Sequence, residues 1–424
     1  MIKSNVLIFP AGTEIAMEIR RSLKDSKFIN LYGATSVPCH AEMLFEHCFS
    51  VPMVGDSGLV DALNRITSES KIDYIYPAHD DVLLYLTFHQ EELKAKVVTS
   101  ALSTVSICRS KKKTYHFFSD RDYIPITWLN VTDILDSEYP VFVKPAVGQG
   151  SQGAEKIEDR KHLYEKVSDG REYVICEYLP GEEFTVDCFT DKDGVLRYIG
   201  QRTRERIRSG IAVRSRFATT DPEVELIANE INDRMSFTGA WFFQLKRDRY
   251  GKLKMLEIAP RIAGTMGLSR NVGINLPLLT LYVMWGMDVD LLKNDGDILL
   301  DRAFISRFQT DIEYDSVYVD YDDTLVKNGN VNPFLIAFLY QCQNKGKRIV
   351  LLTKRNGPVD EGYVDRNMFS SVIHISRSEE KADYIRGRAI FIDDSFSERK
   401  KVHDRCGIPV FDLDAVESLF DWRA

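Results

Sequence analysis

Val141-Phe142-Val143-Lys144-Pro145-Ala146-Val147-Gly148-Gln149-Gly150-Ser151-Gln152-Gly153-Ala154 is the stretch on which the reading of this chain turns. An apolar strand ends in a lysine and is followed by glycines at 148, 150 and 153. Glycine lets a backbone fold closely over an anion, and the N–H groups of such a loop can point at phosphate oxygens. Lys144 adds a compact positive charge beside them. The Walker spacing G-x-x-x-x-G-K-S/T is absent, so this is a different kind of phosphate loop. A glycine-rich turn by itself reads as a flexible linker; the strand, lysine and proline before it favour a lid over phosphate.

Other motifs lie on either side. Ser110-Lys111-Lys112-Lys113-Thr114-Tyr115 opens a basic helix. Val174-Ile175-Cys176-Glu177-Tyr178-Leu179-Pro180-Gly181-Glu182-Glu183 joins two strands through a turn. Trp241-Phe242-Phe243-Gln244-Leu245-Lys246 and Leu256-Glu257-Ile258-Ala259-Pro260-Arg261 are two further apolar stretches, holding Gln244 and Glu257. In this order the motifs resemble the ATP-grasp superfamily, over roughly residues 1–305. Its nearest look-alikes are carboxylate–amine ligases and carbamoyl-phosphate-synthase-like chains.

That resemblance implies roles. Lys144 and Lys111 are the two ATP lysines, with Lys112 and Lys113 left open as rivals of Lys111. Gly148, Gly150, Ser151 and Gly153 form the lid. The backbone at Glu177, Tyr178 and Leu179 meets the adenine edge, and Glu183 accepts from the ribose hydroxyls. Gln244 and Glu257 hold Mg2+ or Mn2+. Arg261 neutralises the transferred phosphoryl group. The family pattern Glu-Ile-Asn-Pro-Arg is broken by Ala259, which cannot ligate, so a second metal would be held differently or weakly.

Before this region, residues 6–9, 72–76 and 97–99 read as strands, and 13–23 and 82–93 as helices. This alternation is the signature of a doubly wound parallel sheet. Pro10-Ala11-Gly12-Thr13-Glu14 holds a single glycine, so it reads as a tight turn rather than a dinucleotide site. Within the middle region, Arg202, Arg204, Arg206 and Arg208 alternate. On one strand they would share a face, either solvated or clamping a carboxylate or phosphate. Arg204, Arg208 and Arg270 are the candidate substrate contacts.

From Ser316 the alternation of strands (317–319, 348–352, 372–375, 389–392) and helices (333–343, 379–385, 396–405) returns. Val317-Tyr318-Val319-Asp320-Tyr321-Asp322-Asp323-Thr324 places carboxylates at a strand's carboxyl end, where open α/β sheets bind ligands. With Leu351-Leu352-Thr353, Lys381 and Phe391-Ile392-Asp393-Asp394, it resembles the haloacid-dehalogenase-like phosphatases. The resemblance implies Asp320 as nucleophile and Asp322 as acid/base. Thr353 would hold phosphoryl oxygens, and Lys381, or its rival Lys354, would offset charge. Asp394, assisted by Asp393, would bind Mg2+ together with Asp320 and Asp322. The short interval between Asp322 and Thr353 leaves no room for a large cap.

The expected fold class is therefore α/β and α+β. Residues 1–105 form the doubly wound sheet, 106–308 the ATP-grasp fold, and 315–424 an uncapped, Rossmann-like HAD-like domain. The 424 residues carry 55 Lys and Arg against 63 Asp and Glu, a net charge of −8. That argues against broad nucleic-acid or anionic-membrane binding. Seven scattered cysteines without C-x-x-C spacing read as free thiols of a cytoplasmic protein. The expected partners are small-molecule carboxylate and amine substrates and a phosphorylated small molecule, with homo-oligomerisation open. The expected function is a bifunctional enzyme: an ATP- and Mg-dependent carboxylate–amine ligase using an acyl phosphate, with a C-terminal phosphohydrolase. The alternatives are a small-molecule kinase, or a nucleotide-binding protein with an idle HAD-like domain.

Overall fold

The computed structural model describes residues 3–355 and 365–423 and divides into two units, Met1–Phe304 and Ile305–Ala424. The first unit opens with a five-stranded, all-parallel sheet. Its order is Cys48–Ser50, Ile29–Thr35, Ser4–Phe9, Tyr74–Pro77, Lys96–Val97, so the first strand is central and the chain winds outward both ways. The helix expected at 13–23 spans Glu14–Leu23, with Thr13 as its N-cap accepting from the Ala16 N–H at 3.0 Å. A Cβ on Gly12 would lie 2.5 Å from Cys39 Sγ. The first turn is thus packed against protein, which fits the tight-turn reading. The helix expected over 82–93 is shorter, Asp80–Phe88, and is followed by a 3-10 turn at Gln90–Glu92.

Two four-stranded antiparallel pieces follow. One runs Thr127–Trp128, Tyr173–Glu177, Val141–Pro145, Glu155–Ile157; the other runs Leu196–Thr203, Glu183–Thr190, Gly239–Arg247, Leu253–Ala259. Strand alternation sets their faces. Val141 and Val143 enter one core, leaving Phe142 and Lys144 on the opposite face. Trp241, Phe243 and Leu245 enter another core, leaving Gln244 and Lys246 opposite.

The four alternating arginines do not share a strand face. The strand ends at Thr203 and a new one starts at Arg206. Arg202 is fully buried and pairs with the fully buried Asp187 at 2.7 Å, with a further hydrogen bond to Thr265. An unpaired buried carboxylate is costly, so Asp187 captures Arg202. Arg204 turns to Glu183, Arg206 pairs with Asp301 at the surface, and Arg208 lies over Phe304. Arg270, the other candidate contact, pairs with Glu18 at 2.9 Å.

The second unit is built on a five-stranded parallel sheet. Its order is Ser371–His374, Arg348–Thr353, Ser316–Val319, Ala389–Ile392, Val410–Phe411. Helices Pro333–Asn344 and Phe396–Cys406 lie near the expected positions. The helix expected at 379–385 is instead a single 3-10 turn, Lys381–Tyr384, because Ile385 is already extended. Among the described residues no helix is long and apolar enough to cross a membrane. All seven cysteines are free.

Candidate functional site

The three lysines at 111–113 separate by environment. Ser110 caps the helix Lys111–Phe117, and the Lys111 N–H donates to Ala146 O at 2.9 Å, tying the helix start to the glycine stretch. The Lys111 side chain enters a cleft, with Nζ 3.2 Å from Gly148 O and 3.8 Å from Glu257. Lys112 instead pairs with Glu172 at the surface, and Lys113 is exposed. Lys144 is buried at the same cleft. Its Nζ donates to Tyr115 Oη at 2.6 Å and to Leu256 O at 3.3 Å. Burial pushes both ammonium groups below the usual lysine range, and Glu257 opposes the shift.

Opposite the lysines stand Gln244 and Glu257, directly paired across neighbouring strands. The register then slips, with Leu245 facing Met255, so Leu256 is bulged. The bulge turns the Leu256 carbonyl toward Lys144 and Tyr115, and Leu256 and Glu257 both line the cleft. Glu183 pairs with Arg204 at 2.6 Å and lies 3.7 Å from Lys246.

The cleft is closed on one side by the glycine stretch. Gly150, Ser151 and Gly153 all have left-handed backbones, at φ +59°, +54° and +75°. Gly148, Gly150 and Ser151 line the cleft; Gly153 does not, and packs on Pro145. At the far end, Glu177, Tyr178 and Leu179 contribute to the wall. The Glu177 carboxylate accepts from the Ile126 N–H at 2.9 Å, which braces the strand end. Arg261 lies in an adjoining polar cleft that shares Lys111, Gly148, Gly150 and Glu257 with the first. It grips Asp80 through two hydrogen bonds of 2.6 Å and stacks over Phe242. Ala259 lines the same cleft.

Several contributors carried no assigned role in the sequence. Lys246 could have been found from its period-two spacing to Gln244. Arg109 pairs with Asp81 at 2.5 Å and reaches Gly148 O at 3.4 Å, while Gln149 meets His79 at 2.7 Å. Those pairs span 28 to 70 residues, and no local pattern announces them.

In the second unit Asp320, Asp393 and Asp394 each place a carboxylate oxygen within 4.8 Å of the others. Lys381 Nζ sits 2.6 Å from Asp320 and 2.7 Å from Asp393, whereas Lys354 is drawn to Glu398 at 3.0 Å. Burial pushes the Asp320 carboxyl up to about 6; Lys381 opposes this and Asp393 adds to it. Burial alone would lower Lys381, but the two aspartates raise it overall. Thr324 Oγ1 donates to Asp394 at 2.9 Å. Thr353 is buried at its strand end. Asp322 stands apart from the carboxylate cluster and pairs with Arg355 at 2.5 Å.

Comparison with known proteins adds to this geometry. Residues 169–302 match the family model described as ATP-grasp in the biosynthetic pathway with Ter operon. The carbamoyl phosphate synthase large chain of Caldanaerobacter subterraneus subsp. tengcongensis is 21% identical over 262 residues, covering 57% of this chain and 24% of the relative. The chain thus spans about a quarter of the length of that curated relative. A biotin carboxylase–beta-gamma-ATP complex from Campylobacter jejuni superposes with a TM-score of 0.57 at 16% identity, covering 70% of this chain and 74% of that one. N5-carboxyaminoimidazole synthetase from Staphylococcus aureus complexed with ADP gives 0.57 at 17% identity, covering 70% and 81%. At these identities the solved structures show a shared fold, and the ATP-grasp family model matches residues 169–302.

Proposed function

We propose that the first unit is an ATP-dependent ligase that joins a carboxylate to an amine. One observation carries the reading: two lysines face Gln244 and Glu257 across a cleft bordered by left-handed glycines. The donor set fits Mg-ATP. Lys111 and Lys144 suit phosphate oxygens, and Gln244 and Glu257 offer the oxygen ligands that Mg2+ takes. Bound Mg2+ would neutralise phosphate charge. The Glu177–Leu179 strand end would receive the adenine, and Glu183 the ribose. ADP- and ATP-bound relatives of the same fold support this placement.

A carboxylate is a poor electrophile, and a phosphoryl group makes it a good one. An oxygen of the substrate carboxylate bonds to the γ-phosphorus while the bond to the β-phosphate oxygen breaks, leaving ADP and an acyl phosphate. The amine nitrogen then bonds to the acyl carbon, phosphate departs, and the nitrogen loses a proton. The chain's own work is positioning and charge neutralisation. Arg261, held by Asp80 next to the shared wall, would meet the transferred group. Ala259 supplies no ligand, so Glu257 and Gln244 would hold the metal without it. The test is ADP release across acid and amine pairs with the product mass measured. Hydroxylamine should trap an acyl phosphate, whereas a kinase would leave a stable phosphoester.

A second site carries its own reading. We infer that residues 315–424 form an HAD-like phosphohydrolase, resting on the Asp320–Lys381–Asp393 constellation at the ends of parallel strands. Asp320 Oδ would bond to phosphorus as the ester oxygen leaves with a proton from Asp322. A water oxygen would then bond to the phosphorus of the aspartyl phosphate as its bond to Asp320 breaks, one water proton returning to Asp322 and phosphate leaving. Asp320, Asp393 and Asp394 offer oxygen ligands suited to Mg2+. The test is Mg-dependent hydrolysis of 4-nitrophenyl phosphate that disappears in Asp320→Asn.

A further inference from the structure

We propose that Arg355 selects phosphomonoesters that carry a second anionic group beside the scissile phosphate. The inference rests on the phosphohydrolase reading above and names its substrate class. Arg355 lies two residues beyond the strand-end Thr353, and its N–H donates to Thr353 Oγ1 at 3.2 Å. Its guanidinium sits 5.1 Å from the ring centroid of Tyr321, itself buried between Asp320 and Asp322 in sequence. Its Nη1 donates to Asp322 Oδ1 at 2.5 Å.

Lys381, Lys354 and Arg399, near the same strand ends, are committed elsewhere. Lys381 is buried between Asp320 and Asp393. Lys354 is held by Glu398, and Arg399 by Asp412 and the carbonyls of Asp393 and Asp394. Arg355 differs in reach: its side chain is 38% exposed and that of Asp322 is 50% exposed. An exposed pair exchanges partners at little cost. A guanidinium anchored by a ring face and free to turn toward solvent is built to take a planar or tetrahedral anion by two parallel hydrogen bonds.

This pair also constrains Asp322. While Oδ1 is engaged by Arg355, it is not available to a leaving ester oxygen. A substrate carboxylate or second phosphate that takes over Arg355 frees Asp322 at the moment the scissile phosphate reaches Asp320. A bare alkyl phosphate offers no such exchange.

Calorimetry on the full chain with Mg2+ tests this using phosphonoacetate and ethylphosphonate, which differ in the carboxylate. The wild-type protein should bind phosphonoacetate about tenfold more tightly. Arg355→Gln should bring the two within about twofold, and Arg355→Lys, which keeps the charge but loses the fork, should fall between. Any chelation of Mg2+ by phosphonoacetate is common to all three proteins, so the change in ratio isolates Arg355. Equal affinities in the wild type, a preference that survives in Arg355→Gln, or no binding of either compound overturns the proposal. So does a change in melting temperature without a change in the ratio, which marks a purely structural pair. Asp320-dependent hydrolysis of 4-nitrophenyl phosphate reports separately on the underlying phosphohydrolase.

Discussion

A Cβ on Gly210 would stand 2.2 Å from the carbonyl carbon of Gly150, so the hairpin turn at 209–210 rests directly on the glycine flap. Gly210 also has φ +74°, and its carbonyl accepts from Arg204 Nη2 at 3.0 Å, which links the flap to the Glu183 side of the cleft. Gly210→Ala combines backbone strain with a clash that only movement of the flap can relieve. It should weaken Mg-ATP binding by about tenfold or more, read by calorimetry. Unchanged affinity would mean the flap does not close on nucleotide in this position.

Lys144→Met removes a buried charge from the cleft that the ligase reading assigns to the triphosphate. A hydrogen bond to a charged group is worth about 1.5–3 kcal/mol, so affinity for Mg-ATP should fall roughly 10- to 100-fold. Lys112→Met, which alters only the surface pair with Glu172, should stay within about twofold of wild type. Equal losses in the two variants would contradict the assignment of the lysines by burial.

Nucleotide affinity should also depend on pH through Lys144. Burial lowers its affinity for protons below that of an ordinary lysine, while phosphate favours the ammonium form. Binding should therefore weaken as pH rises through the range below the ordinary lysine value. Without nucleotide the sign is reversed for stability: the unfolded chain holds this proton more tightly, so the folded state gains as the same range is crossed upward. Lys144→Arg should flatten the affinity profile, measured by titration at several pH values.

Asp320 gives the opposite sign. Its carboxyl is pushed up to about 6, and on the phosphohydrolase reading Asp320 must be ionised to attack phosphorus. At limiting Mg2+, kcat/KM for 4-nitrophenyl phosphate should fall as pH drops through about 6. Saturating Mg2+ favours the carboxylate and should move this limb to lower pH. In the metal-free protein the folded state binds the proton more tightly than the unfolded chain. The stability contributed by this group is thus lost as pH rises from the ordinary carboxylate range to about 6, which thermal melts can follow.

What the sequence revealed was local. Among the described residues, seven of the ten strands in the two parallel sheets fell near their expected positions, whereas Ile29–Thr35, Cys48–Ser50 and Val410–Phe411 were not anticipated. Long-range geometry was not legible. The alternation of Arg202 to Arg208 suggested one strand, but the buried Asp187 claimed Arg202 and the strand ended at Thr203. The choice among Lys111, Lys112 and Lys113 needed the surrounding cleft, since the three are adjacent and chemically identical. The bulge at Leu256 and the seat of Gly210 on Gly150 depend on register and contact between distant segments, which no pattern of residue types encodes. Asp322 and Arg355 are 33 residues apart, and no local pattern links them.

The most direct test of the ligase reading is a structure of the full chain with Mg2+ and a non-hydrolysable ATP analogue. The triphosphate should lie between Lys111, Lys144 and the backbone of residues 148–151 on one side and Glu257 with Gln244 on the other. The base should reach Tyr178 and Leu179, and the ribose Glu183. A nucleotide bound elsewhere, or a cleft that stays empty at saturating analogue while Lys144 keeps its bond to Tyr115, would contradict the account.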